Sequence, residues 1–296
     1  MTGTTEPLRF AQLHVDVARN ATDDFNPFHD PVRWSSIRAN PFPGPVVLGF
    51  QLLGLVAARI DHHRLACDEH EQLDSLGLRF SNFECRFAGA VLPGQDVEVV
   101  VKPSRTGHGG SPALSNRVAL YADGRIALTG FKRETRGALY LPDVEPFSAD
   151  ELDDAQDRTF LRGGDWFLKR KFISNGHAKN FLCASLVNAA DYIDELAGEV
   201  NFPEVFPCAL LSCALLERAW CEERDFERHP FVYQSHRLSI DRDRLAALRS
   251  HDRLHLLTRQ CADGEGKLAY ECLGIVSDQR PLFSGRIDLM RLGELT

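Results

Sequence analysis

The chain has 296 residues, 44% hydrophobic and 26% charged, with a formal net charge of -8. This composition belongs to a folding globular protein, long enough for a sizeable core in one or two domains, and excludes a disordered or fibrous chain. The acidic balance gives no general reason to approach nucleic acid or an anionic membrane surface.

The opening Met-Thr-Gly-Thr-Thr-Glu-Pro has no charged segment followed by an apolar one and does not read as a signal peptide. The longest apolar run, 43–58, is interrupted by Gln51 and is shorter than the roughly 20 residues a spanning helix needs. Cys183, Cys208, Cys213, Cys221 and Cys272 sit among apolar neighbours, and no Cys-x-x-Cys occurs. Reduced thiols and a cytoplasmic setting are the expectation.

In chain order, the first informative stretch is Asp24-Phe25-Asn26-Pro27-Phe28-His29. It reads as a polar turn, because proline pushes Asn26 out of helical geometry and Asp and Asn bond back to the chain. Residues 45–60 are apolar almost all round and open on a proline, which predicts a buried helix with Gly49 in its first turn. Segments 78–87, 97–102, 116–121 and 125–132 have strand composition, the last two joined by a hairpin turn at Asp123-Gly124. One buried helix followed by antiparallel strands is an α+β unit.

Residues 141–157, with Pro142, Pro146 and many acidic side chains, suit an exposed linker carrying a short helix. This sets a boundary near residue 150, giving units 1–149 and 150–296. The second unit repeats the first: an apolar helix over 207–220 and strands over 232–240, 254–260, 267–275 and 283–290. Ala262-Asp263-Gly264 echoes Ala122-Asp123-Gly124, and the pattern reads as a divergent duplication.

Chemistry concentrates in the first unit. A turn offering Asp24 and His29 lies ahead of a helix start whose free backbone N–H groups, near Gly49, could receive a developing oxyanion. Taken alone, the turn equally suits a capping aspartate and a surface histidine. Together the three groups could polarise a thioester carbonyl and move protons at the neighbouring carbons.

Thr22 to His29, followed by Pro45-Val46-Val47-Leu48-Gly49, resembles the hydratase motif of MaoC-like, (R)-specific enoyl-CoA hydratases. Their pattern is Ser-Gly-Asp-x-Asn-Pro-x-His and then Pro-x-x-His-Gly at the start of the central helix. The resemblance covers roughly residues 15–60. It implies a double hot-dog fold, two antiparallel sheets each wrapping a central apolar helix and packed as a pseudo-dimer. It also implies reversible hydration of trans-2-enoyl thioesters to 3-hydroxyacyl thioesters, carried by coenzyme A or an acyl carrier protein, without metal or redox cofactor. Asp24 and His29 would then be the catalytic pair, with Asn26 orienting the water or the pair. Gly49 would be the oxyanion donor, flanked by Val47 and Leu48 on the substrate side; a homodimer is compatible.

Two positions depart from the pattern: Asp23 replaces its glycine and Leu48 its second histidine. A hot-dog thioesterase or acyltransferase, or a non-catalytic acyl-thioester-binding subunit, are the alternatives these departures keep open. In the second unit, setting Asn180 against Asn26 puts Ala178 and Cys183 where Asp24 and His29 stand, so that unit is expected to be degenerate.

Other candidates carry less. His63, Cys67 and His70, with His62 beside them, share a helix face if the first helix continues, but a solvated helix end explains them as well. Residues 107–111 have the look of an esterase oxyanion loop without the Gly-x-Ser-x-Gly elbow it requires. Arg162-Gly163-Gly164-Asp165 lacks the ending of a phosphate loop. Lys169, Arg170 and Lys171, or Lys102 and Arg105, are basic enough to meet a carrier's phosphates.

Overall fold

The computed structural model describes residues 7–107, 113–264, 267–276 and 280–292. The first half runs β1 (Leu8–Arg9), α1 (Gln12–Thr22), α2 (Gly49–Ala66), α3 (His70–Ser75), β2 (Phe80–Phe87), β3 (Asp96–Val101), β4 (Arg105–Thr106), β5 (Ala113–Ala122) and β6 (Arg125–Thr135). A connection bearing α4 (Ala149–Asp153) leads to β7 (Thr159–Leu161), β8 (Trp166–Phe172) and α5 (Asn175–Ala184). There follow β9 (Ile193–Asp194), β10 (Glu199–Val200), α6 (Phe206–Ala209), α7 (Leu211–Cys221), β11 (Phe231–Asp241), α8 (Arg242–Ala247), β12 (Arg253–Gly264), β13 (Lys267–Ile275) and β14 (Pro281–Arg291).

One 12-stranded antiparallel sheet carries the molecule, in the order β1-β3-β5-β6-β2-β11-β14-β13-β12-β8-β7, with β4 paired to β5. The two expected sheets thus join edge to edge through β2 and β11. Their register places Glu84 opposite Arg237, with Phe83 opposite Leu238 and Cys85 opposite His236 on either side. That symmetry defines a pseudo-dyad at the Glu84–Arg237 pair. Each half also sets a glycine beside the seam: Gly130 opposite Cys85 and Gly285 opposite Leu238. A Cβ at either would collide with a seam carbonyl, of Glu84 or of Arg237, so both positions need glycine for close strand approach.

The long apolar helices lie in one core. Phe50, Leu53, Val56 and Ile60 of α2, Phe83 of β2, Leu211 and Ala214 of α7 and Leu238 of β11 belong to a single buried cluster. Helix α2 begins at Gly49 rather than at Pro45 and runs to Ala66; the N–H groups of Val46, Val47 and Leu48 donate instead to the Phe28 carbonyl, the Val91 carbonyl and Gln51 Oε1. The Asp123-Gly124 hairpin turn has positive φ at both residues, 47° and 75°, as a tight two-residue turn demands. Residue 150 falls within α4, and the connection is not wholly exposed, since Phe147 and Leu152 pack on Trp166.

A buried charge cluster ties α2 to the sheet and to the second half. Lys132 of β6 reaches Asp61 at 2.9 Å and also pairs with Glu204, while Arg64 meets Glu134 at 2.5 Å and Asn116 at 2.9 Å. These bonds compensate charges that would be costly to bury alone. No helix is long and apolar enough to cross a membrane among the described residues.

Candidate functional site

Helix α1 ends at Thr22, and the chain reverses through Asp23 at φ 51°. This left-handed position accounts for the glycine of the family pattern; aspartate tolerates it better than most residues. The Asp23 carboxylate is turned to Lys171 of β8, with which it pairs. It therefore has its own partner outside the Asp24–His29 pair.

The next residues hold one another rigidly. Asp24 accepts the Asn26 N–H on Oδ1 at 2.9 Å, and Asn26 Oδ1 accepts the Phe28 N–H at 3.1 Å, capping a single 3-10 turn over Pro27–His29. Arg19 spans the turn, donating to the Asp24 carbonyl at 3.4 Å and to Asp30 at 3.0 Å. Asn26 thus builds the turn that presents His29, with its carboxamide oxygen committed to the cap.

Residues 45–48 are stitched to this turn. The Val46 N–H donates to the Phe28 carbonyl at 2.9 Å, and His29 Nδ1 lies 2.7 Å from the Val46 carbonyl. A carbonyl only accepts, so Nδ1 carries the proton and Nε2 is the bare nitrogen. Nε2 faces Asp24 Oδ2 across 3.9 Å, with both side chains buried. Burial pulls the His29 pKa below its ordinary value, against the pull of the Asp24 carboxylate and the Val46 carbonyl, so the imidazole is neutral near pH 7.

Asp24 and His29 open onto a cavity of about 360 Å³, whose wall also includes Asn26, Val47 and Gly49. Gly49 is the first residue of α2, and its N–H has no acceptor among the described residues. A Cβ at Gly49 would stand 3.0 Å from Phe87 and 3.1 Å from Tyr233, so both aromatic rings close on the helix start. Leu48 is a correction to the expected site: it is 2% exposed, belongs to the apolar core and does not line the cavity. The remaining candidates are thus brought together and Leu48 is not.

The far wall comes from the second half, the unit expected from its sequence to be degenerate. Ser212 of α7 and Tyr233 of β11 line the cavity with their hydroxyls 2.9 Å apart. Burial, reinforced by the Asp24 carboxylate, pushes the Tyr233 phenol well above its usual pKa and keeps it protonated. Neither residue has a local signal in the sequence, since each reaches the site only across the pseudo-dyad.

The second half has its own version of the turn. Leu186, at φ 57°, stands where Asp23 does, and Asn188 Oδ1 accepts the Ala190 N–H at 3.2 Å to cap a 3-10 turn over Ala189–Asp191. The counterpart of Asn26 is therefore Asn188; Asn180 lies on an exposed face of α5. Val187 and Asp191 occupy the places of Asp24 and His29, so this half lacks the pair by a different register from the one expected.

The basic candidates for phosphate are mostly engaged within the fold. Lys169 pairs with Asp157 at 2.8 Å and Glu217 at 3.2 Å, Arg170 donates to the Leu152 and Ala155 carbonyls, and Lys171 holds Asp23. Lys102 and Arg105 are exposed and do not line the cavity. Residues 108–111 lie outside the described residues. Among the described residues, His63, Cys67 and Glu69 could hold a metal, with ligand atoms within 4.8 Å of one another, but His70 is not part of that group.

Fold and site together define a double hot-dog protein with one buried carboxylate–imidazole pair at the start of one of its two central helices. No protein-family model and no curated protein matches the chain. Solved structures do. A conserved hypothetical protein from Mycobacterium tuberculosis with a double hot-dog fold matches with a TM-score of 0.60 at 12% identity, over 97% of this chain and 94% of that one. A MaoC-like dehydratase matches at 0.56 and 10% identity, over 96% and 95%. The peroxisomal multifunctional enzyme type 2 of Drosophila melanogaster matches at 0.54 and 9% identity, over 96% of this chain and 48% of that one. An acyl-CoA thioesterase II from Mycobacterium marinum matches at 0.49 and 13% identity, over 83% and 91%. At these identities the first three likenesses, each with a TM-score above 0.5, establish the fold alone.

Proposed function

We propose that the protein is an (R)-specific hydratase or dehydratase interconverting trans-2-enoyl and 3-hydroxyacyl thioesters. Residues 1–149 would carry the chemistry, and 150–296 would be a degenerate hot-dog unit. The observation that carries this reading is the pairing of two proton acceptors, Asp24 Oδ2 and His29 Nε2, 3.9 Å apart on the wall of a cavity that Gly49 also lines.

With Nδ1–H committed to Val46, His29 can only accept at Nε2, and an ionised Asp24 can only accept as well. A water donating one O–H to each is held by both. In hydration its oxygen attacks C3 of the enoyl thioester as one of its protons passes to the pair. Negative charge moves through C2 onto the thioester oxygen, where the Gly49 N–H stabilises it; one such donor is typically worth about 3 kcal/mol of barrier. A proton returned from the pair to C2 on the same face completes syn addition of one water. The reverse path is dehydration.

The MaoC-like dehydratase among the structural matches supports the reading at the level of fold. The test is to mix the purified protein with enoyl-CoA thioesters and follow loss of the enoyl absorbance, with Asp24→Asn and His29→Ala beside it. Hydration that depends on both residues is expected. Release of free thiol would turn the assignment toward a thioesterase, and ligand binding without turnover toward a binding subunit.

A further inference from the structure

The corner formed by Asp24, His29 and Gly49 accounts for the reacting carbons and the thioester oxygen. The rest of the wall includes the apolar Leu215, Leu216, Leu268 and Leu289, with Arg224, His229 and Gln234 also lining it. A purely hydrocarbon chain would need only the apolar part. Yet three hydroxyl groups interrupt that surface: Ser212, Tyr233 and Tyr270 all line the cavity.

Ser212 and Tyr233 bond to each other at 2.9 Å. Two hydroxyls bring two protons, and their mutual bond uses one. The second donor has no acceptor among the described residues. Ser212 is 3% exposed and Tyr233 is half-buried on the cavity wall. Buried hydroxyls left unpaired are costly, and a chain of carbon and hydrogen would seal them in that condition. An oxygen on the ligand would satisfy them. The Tyr233 ring edge stands against the helix start at Gly49, so the hydroxyl pair shares one cavity with the Asp24–His29 corner.

We propose that Ser212 and Tyr233 form a polar station in the acyl channel that binds an oxygen substituent on the chain beyond C3. The preferred substrate class is then an oxygenated acyl thioester, bearing a hydroxyl or keto group, rather than a plain fatty acyl one. This rests on the hydratase reading for the direction in which the chain lies. A site built to hydrogen-bond a ligand oxygen discriminates strongly against the analogue that lacks it.

The experiment separates binding from turnover. Saturated medium-chain acyl-CoA and its counterparts with a hydroxyl placed at successive carbons from C4 onward cannot be hydrated or dehydrated across C2–C3, and their dissociation constants are measured by calorimetry. Wild-type protein is expected to bind at least one hydroxylated chain about 10-fold more tightly than the plain chain. Tyr233→Phe combined with Ser212→Ala, checked for folding by circular dichroism, is expected to bring that ratio to about one. A wild-type ratio of one or below at every position, or a ratio unaltered in the double variant, overturns the polar station. The matching enoyl-CoA thioesters are then offered for hydration. A binding preference without any turnover removes the hydratase reading and leaves the station standing, whereas turnover without a preference does the reverse.

Discussion

The two helix-to-turn corners related by the pseudo-dyad have the same backbone and opposite interiors. In the first half, α1 leads through a left-handed residue and an asparagine-capped 3-10 turn to Asp24 and His29 beside a cavity of about 360 Å³. In the second, α5 leads through Leu186 and an asparagine-capped 3-10 turn to Val187 and Asp191, beside a void of about 10 Å³. Gly54 of α2 explains the closure, because a Cβ there would stand 2.8 Å from Ser185 Oγ and 3.0 Å from Phe181: α2 and α5 are in direct contact. The same turn thus borders an open cavity in one half and forms a packed corner in the other.

The largest effect that would sharpen this contrast is on turnover. Asp24→Asn or His29→Ala is expected to lower kcat for enoyl-thioester hydration by about 1,000-fold, within the range usual for a positioned acid–base group. Steady-state kinetics on both variants check it, and near-normal rates in either would mean that the open corner is not the site.

Gly49→Ala comes next. Its methyl group would press on Phe87 and Tyr233, so a loss of about 1–3 kcal/mol in denaturant unfolding is expected from overpacking, together with reduced kcat. Gly54→Ala, in the closed corner, is expected to show a similar loss of stability on the same unfolding assay with kcat unchanged. If Gly54→Ala slowed the reaction as much as Gly49→Ala, the two corners would be coupled rather than separate.

A subtler comparison lies on the seam, where His236 occupies the place that Phe83 has across the dyad. His236 is fully buried, stacks on Phe50 at 4.3 Å between ring centroids, and neither ring nitrogen has a hydrogen-bond partner among the described residues. Burial lowers its pKa to about 3. A depressed histidine pKa means that the unfolded chain takes up the proton first; this part of stability is complete above pH 6.5 and drains away as pH falls toward about 3. His236→Phe should therefore flatten the acid limb of a plot of unfolding free energy against pH. An unchanged slope would show that other groups dominate it.

The smallest effect concerns the rate profile. Burial lowers the His29 pKa, so the form with Nε2 free persists below pH 6.5. The acid limb of kcat/KM against pH is expected to lie below that value, and a limb above it would contradict a neutral His29.

Much of this was legible in the sequence because it is local. Proline after Asn26 fixes the turn, and the apolar run that becomes α2 and the Asp123-Gly124 hairpin stand where periodicity and turn chemistry put them. Helix α1 escaped because its buried face is made of small residues, Val15, Ala18 and Ala21, which give a weak apolar stripe. The sequence points to Asn180 rather than Asn188 as the counterpart of Asn26 because the second turn is one residue shorter and its helix carries an asparagine of its own. Leu48 was expected at the site because position alone cannot tell which way a side chain turns at a helix cap. Ser212 and Tyr233 were invisible for a deeper reason: their role exists only once β11 crosses the seam.

That seam has a further consequence for how such a protein can change. In an assembly of two identical chains every substitution is made twice, so a residue that improves one corner as packing would spoil the other as chemistry. Joining β2 to β11 within one polypeptide breaks that obligation, and each corner can drift alone. Among the described residues, the short strands Leu8–Arg9 and Thr159–Leu161 terminate the main run of the sheet. The molecule carries its own partner, and that partner is free to become something other than a copy.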